Sequence, residues 1–400
     1  RRLETDADPP AAQSSPRLTR ALGRLAGHRR LLLQRRHLVH PDASLLPGDV
    51  GPAPPPLSTE SPKPYLASLD FLRALAALSV CFYHFVYGRR TYFSDDFWVK
   101  QVSWYGAYGV HVFFVISGLV IPYAMQQGGY HIRNFFSFLW KRIIRIEPPY
   151  LISVLLVLLL NFGGSFSPWY HGEAFQLDAW NLLAHLGYAN AFVGAKWLNP
   201  VYWTLAIEFQ YYLFIALIFG LLQSVEKWKW LTVLALFNAG TWFLPNPNFV
   251  FQYAAFFTAG IITYKFISGW LNRWEYGILL LISLLFMWQA EGVAGAVAGT
   301  VAILFYFIPI VHPVARFLGT ISYSIYLLHV PIGARVITFS ENFTHSVPAR
   351  LGMVLLAYAV TIVAARLFYR WIEAPCKAWA KKVVYQSSET NTIKPIATQS

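Results

Sequence analysis

Charge is scarce in this chain. Charged residues make up 13% of its 400 positions and hydrophobic ones 56%, whereas about a quarter of a soluble domain is charged. That balance excludes an ordinary soluble globule and points to a polytopic membrane protein. Acids are scarcer than bases, 19 against 32, which leaves a net charge of +13. Cysteine is nearly absent: Cys81 falls inside an apolar segment and Cys376 follows the last one. Two such residues carry no disulfide framework or metal-ligand spacing, so the redox compartment is not legible. The chain contains no H-E-x-x-H, no Walker P-loop and no G-x-S-x-G elbow, which removes three common catalytic designs. No charged segment followed by an apolar stretch opens it, so a signal peptide is not expected.

What is present in quantity is apolar sequence. Windows of about 20 residues, the length that crosses a bilayer, occur ten times. They cover residues 66–88, 107–126, 148–163, 200–222, 229–245, 249–268, 274–290, 292–311, 314–334 and 349–372. Only Gln289 to Gly292 separate the seventh from the eighth, which predicts a tight hairpin. The expected fold is therefore all-α, a membrane bundle of about ten transmembrane helices.

The excess of Lys and Arg is spread over short loops rather than gathered in one patch, which argues against a nucleic-acid partner. Arg133, Lys141, Arg142 and Arg145 lie after the second window, Lys227 and Lys229 after the fourth, Lys265 and Arg273 after the sixth. With the basic tail residues Lys377, Lys381 and Lys382, these loops place both termini in the cytoplasm. The stretch HIRNFFSFLWKRIIRIEPPY mixes apolar and basic residues at helical spacing. It reads as an amphipathic helix lying in the cytoplasmic interface, ended by Pro148–Pro149, with Lys141 meeting anionic lipid.

Three regions follow. Residues 1–62 mix Arg, Pro, Ala and Leu without lasting periodicity and end in PGDVGPAPPPLSTESPKP, an extended linker. They are expected to be a disordered or artefactual tail, the more so because the chain does not begin with Met. Residues 63–376 form the transmembrane domain, and 377–400 a polar cytoplasmic tail. No internal repeat is visible, which weakens the case for an inverted-repeat transporter.

Arg73 and His84 carry the strongest chemical signal. An ionisable group at membrane depth costs a few kcal/mol and usually faces a cavity or a partner. The two are eleven residues apart, which places them on one helix face about 16 Å from each other. A buried imidazole favours its neutral form, the form a general base requires. Glu208 is the only charge in VYWTLAIEFQYYLFIALIFGLL; a carboxylate there needs a cation, a proton or a hydrogen-bond donor. A structural role for it is as reasonable as a catalytic or acceptor-binding one. Arg142 and Arg145 form an R-x-x-R pair at i,i+3 spacing, which suits phosphate oxygens. GTISYSIYLLHVPI packs Ser322, Tyr323, Ser324, Tyr326 and His329 into the ninth window, where bonds to neighbouring helices are the default reading. Trp203 reads as an anchor or as packing, and His111 as structural.

At these residues the chain resembles the acyltransferase 3 family of integral membrane proteins, which includes O-antigen and exopolysaccharide O-acetylases. The stretches that carry the resemblance are SLDFLRALAALSVCFYHF, YGVHVFFVISGLVIP, FLWKRIIRIEPPYL, WTLAIEFQYYL and LGTISYSIYLLHVPI, in the family's order across residues 66–375. Phe71 stands where glycine is frequent and His111 where aspartate is frequent, which leaves the acceptor open.

The resemblance implies ten helices and transfer of an acyl group, commonly acetyl, from cytoplasmic acyl-CoA to a hydroxyl of a cell-envelope carbohydrate or lipid-linked acceptor. It implies a bacterial inner-membrane enzyme with His84 and Glu208 as catalytic residues and Arg73, Arg142 and Arg145 holding the donor. Trp203, Tyr323 and His329 are expected to bind substrate. No metal and no tightly bound cofactor is expected. Some relatives carry a fused extracytoplasmic esterase-like domain; none follows Lys382 here, so transfer is expected to finish in this chain or with a partner. The rival class is a transporter or flippase that uses Arg73, His84 and Glu208 as a substrate or proton path; a third reading is a non-catalytic membrane sensor.

Overall fold

Apolar residues on the first long segment recur at Leu69, Leu72, Ala76 and Val80, and all four are buried. That spacing is one stripe of an α-helix, and the segment is helical as Ala67–Phe82 (α1). The structure, a computed structural model, describes residues 67–167 and 176–385. All of them belong to one unit, Pro64–Ser400. The expectation for residues 1–62 lies outside the described residues, as does most of the expected polar tail.

Helices account for nearly all of the described chain, and no strand occurs among the described residues. After α1 come Gly109–Gln127 (α2), Phe135–Ser165 (α3), Trp203–Leu222 (α4) and Lys227–Phe243 (α5). Ala254–Ile267 (α6), Arg273–Phe307 (α7), Pro313–Thr320 (α8) and Ser322–Leu328 (α9) follow, then Val347–Phe368 (α10) and Ala374–Lys382 (α11). Seven helices are long and apolar enough to cross a membrane, or eight if the pair Pro313–Thr320 and Ser322–Ser340, bent by 55°, is one span. The expected number was ten. The difference arises at α5, whose 17 residues fall short, and at α7, one 35-residue element covering two expected windows.

Within α7 the chain departs from helix at Gly292, with φ 67° and ψ −165°. A side chain would be strained in that left-handed region, so glycine suits the break. A Cβ built on Gly299 would lie 2.3 Å from Sδ of Met287. Residues twelve apart in a straight helix are about 18 Å apart along the axis, so the chain folds back on itself at Gly292. The inner pair α2 and α6 crosses on glycines: a Cβ on Gly118 would meet the Phe257 carbonyl at 2.2 Å. One on Gly260 would meet the Val115 carbonyl at 2.2 Å. Small residues let backbones approach where lipid supplies no hydrophobic drive between helices.

α3 corrects the reading of its prolines. Pro148 and Pro149 do not end a surface helix; they lie inside a continuous helix of 31 residues. A proline removes one N–H, here leaving the Ile144 and Arg145 carbonyls without their usual donors, and membrane helices tolerate this where neighbours compensate. Beside them the Tyr323 hydroxyl donates to the Ile146 carbonyl at 3.0 Å. Phe136, Trp140, Leu155 and Leu159 form the exposed stripe of α3, whereas Phe138, Arg142, Tyr150 and Val154 are buried. Arg142 and Arg145 of this helix therefore turn inward. Lys141 lies over the Tyr385 ring at 5.4 Å and 3.4 Å from the Val383 carbonyl.

Candidate active site

The inner helices enclose a cavity of about 980 Å³, counting the open solvent at its mouth. Arg73 reaches its wall from α1, Ser117 from α2, Arg142 and Arg145 from α3, and Glu208 and Tyr212 from α4. Tyr323 and Tyr326 line it from α9, and Lys377, with Glu373 just before it, from the C-terminal helix. Four cations thus share one wall with two carboxylates, and each cation lies within reach of another's charge. Like charges gathered at partial burial repel unless an anion joins them.

Each charged group is held differently. Arg142 is buried, with its guanidinium over the rings of Phe138 at 5.2 Å and Tyr212 at 5.4 Å. Its Nε has no hydrogen-bond partner among the described residues. Rings hold a guanidinium by cation–π attraction and leave its donor fork free for an oxyanion. Lys377 instead pairs with Glu373 at 2.6 Å, and Glu373 accepts from Ser324 at 2.5 Å. Glu208 accepts from Ser117 at 3.2 Å and from the Tyr212 hydroxyl.

His84 and His329 meet beside this cavity, their ring centroids 5.0 Å apart. Tyr326, on the cavity wall, lies 5.7 Å from His329 by the same measure. The Tyr326 hydroxyl shares a hydrogen with Thr204 at 2.7 Å, which ties this corner to α4. Both histidines lie in π-turns: Tyr83–Tyr87 for His84 and His329–Ala334 for His329. The remaining π-turn among the described residues, Tyr369–Glu373, carries Glu373. Such turns are rare and concentrate at functional sites.

The structure brings most of the expected site residues to one place. Arg73, Arg142, Arg145, Glu208 and Tyr323 line the cavity, and His84 and His329 pack together next to it. Trp203 does not join them: its indole packs against Tyr253 at 5.4 Å, while its neighbour Thr204 faces the cavity. Glu208 is bonded to Ser117 and Tyr212, and the rings that meet His84 are those of Tyr83 and His329. His111 packs among Tyr108, Tyr253 and Phe256, 3.7 Å from Glu291.

Lys377 and Glu373 were not singled out by their sequence. Lys377 read as a tail charge, although the helix continues through it to Lys382. The available signal was Glu373 four residues before Lys377, the spacing of a helical ion pair. Tyr212 stands four residues after Glu208 in the same way.

Comparison with known proteins gives a family and several distant relatives. The family model described as "Acyltransferase domain" (acyltransferase 3) matches residues 66–370. The chain is 24% identical over 389 residues to a Listeria monocytogenes protein named peptidoglycan O-acetyltransferase OatA, covering 80% of this chain and 57% of that one. It is 25% identical over 368 residues to a Staphylococcus aureus protein named O-acetyltransferase OatA, covering 78% and 57%. The chain therefore spans under two thirds of the length of these curated relatives. No solved structure matches.

Proposed function

The chain belongs to the acyltransferase 3 family of membrane proteins, and we propose that it transfers an acyl group, acetyl first of all, from acyl-CoA to a hydroxyl of a cell-envelope carbohydrate. One observation carries this reading: Arg73, Arg142, Arg145 and Lys377 on one cavity wall, next to a pair of packed imidazoles. Arginine forks suit phosphate oxygens, and acyl-CoA joins several phosphates to a distant thioester by a long flexible arm. The carbohydrate acceptor rests on the relatives' names.

In this reading the phosphates rest on the cations and the thioester extends along α1 toward His84. His84 takes the proton of the acceptor hydroxyl as that oxygen attacks the thioester carbonyl. The C–S bond breaks, the C–O ester forms, and the proton passes to the departing thiolate. Transfer of the acyl group through His84 as a covalent relay would use the same residues in two steps. Glu208, with Ser117 and Tyr212, orients the acceptor. In this reading the cation-rich mouth opens on the cytoplasmic side of a bacterial inner membrane, an orientation the basic loops support.

The test uses the full chain in lipid nanodiscs with acetyl-CoA, chitotetraose serving as acceptor. Release of free CoA that depends on acceptor and on His84 supports the enzyme. Uptake of the saccharide into vesicles without thioester loss would replace this reading with a carrier.

A further inference from the structure

His329 is entirely buried, and its two ring nitrogens are treated differently. Nδ1 lies 2.7 Å from the Tyr326 carbonyl and 3.2 Å from the Ile325 carbonyl. Carbonyl oxygens only accept, so Nδ1 must carry the hydrogen, and in the neutral ring Nε2 is then a bare lone pair. Nε2 has no hydrogen-bond partner among the described residues. A buried acceptor left unpaired is costly, and a native structure that keeps one usually has a use for it.

The ring of His84 lies beside that of His329, with centroids 5.0 Å apart. An imidazole that accepts a proton becomes a cation with an N–H on each side. One side faces the reacting oxygen, and the other needs an acceptor. Serine hydrolases supply a carboxylate there. Here the cavity's carboxylates are engaged, Glu208 by Ser117 and Tyr212 and Glu373 by Ser324 and Lys377.

We propose that His329 is the positioning residue of His84: its Nε2 lone pair accepts the N–H of His84 that faces away from the substrate. The bond fixes the tautomer of His84 and supports the cation formed when His84 takes the hydroxyl proton. Catalytic hydrogen bonds are often long in the empty enzyme and tighten when substrate is bound. Tyr326 and Ile325 hold the donor side of His329, and Tyr326 is in turn held by Thr204. This inference rests on His84 being the base.

Two substitutions separate the nitrogens. Asparagine at 329 reproduces the Nδ1 donor and has nothing at Nε2, whereas glutamine places an amide oxygen where Nε2 stands. The probe is diethylpyrocarbonate, which acylates an unprotonated imidazole, applied to the full chain in nanodiscs. The rate at His84 is followed by peptide mass spectrometry. The expected result is acylation slowed about tenfold in His329→Asn and kept within about threefold of wild type in His329→Gln, the scale of losing a ligand-orienting partner.

The reverse order would show that only the Nδ1 anchor matters and would overturn the proposal. Equal or faster acylation in His329→Asn would do the same. In turnover of acetyl-CoA with chitotetraose, the loss should fall on kcat with KM unchanged; a loss confined to the KM for the saccharide would make His329 an acceptor contact instead. Normal turnover in His84→Ala would refute the parent reading, whereas a dead His84→Ala beside an unaffected His329→Asn would refute this one alone.

Discussion

The basic cavity and the histidine pair beside it hold their polar groups by opposite means. In the cavity Arg142 is held by the faces of Phe138 and Tyr212, and one of the four cations, Lys377, is paired with a carboxylate. Beside the cavity His84 and His329 pack as rings, and the fixed contacts of His329 are backbone carbonyls. The first arrangement leaves charge open to a ligand, and the second keeps a lone pair dry and oriented. The difference separates binding from chemistry, so variants at the two places should fail in different kinetic constants.

The largest effect should come from His84→Ala. Loss of a general base costs typically two to four orders of magnitude, so kcat should fall about a thousandfold with expression and membrane insertion unchanged. Next is the basic cavity. Arg142→Ala and Arg145→Ala should each raise the KM for acetyl-CoA about tenfold and leave kcat nearly intact, since a hydrogen bond to a charged group contributes roughly 1.5–3 kcal/mol. A fall in kcat at unchanged KM would erase the distinction between the two places. Lys377→Ala should raise the same KM by only about threefold, because part of its charge is answered by Glu373.

The smallest effect calibrates the histidine pair against a third imidazole. His185 is buried like His329, but both of its nitrogens are served: Nδ1 lies 2.8 Å from the Asn181 carbonyl, and Nε2 accepts from the Leu198 N–H at 3.2 Å. It lies between α3 and α4, outside the candidate spans. Burial lowers its pKa below the ordinary 6.5. A histidine kept neutral in the fold adds stability above its unfolded pKa, and loses it as pH falls from there toward the folded value. Limited proteolysis of residues 178–199 should therefore quicken modestly below about pH 6.5, and the dependence should vanish in His185→Asn.

Much of the site was legible because it is local. Arg73 and His84, and Arg142 and Arg145, each lie on one helical stretch, where spacing alone suggests the shared face. The all-helical membrane fold followed from composition in the same direct way. Tertiary facts stayed hidden. Nothing near Lys377 announces that the last helix returns to the cavity, and nothing in GTISYSIYLLHVPI says that its histidine meets His84. Trp203 begins α4 and shares that helix with Glu208, yet the packing of α4 turns it toward Tyr253. The proline pair was misread because rules learned in water end a helix there, while an apolar span packed on neighbouring helices carries it through.

The π-turns set a limit on how the chain can vary in length. Each wraps its backbone one residue wider than an α-turn, so everything beyond it is rotated relative to everything before. Deleting a single residue from Tyr83–Tyr87 would let the helix relax to ordinary winding and still read as an apolar span. The side chains beyond the turn would then point along different radii from those before it, and the protein would insert normally yet have its two halves out of phase.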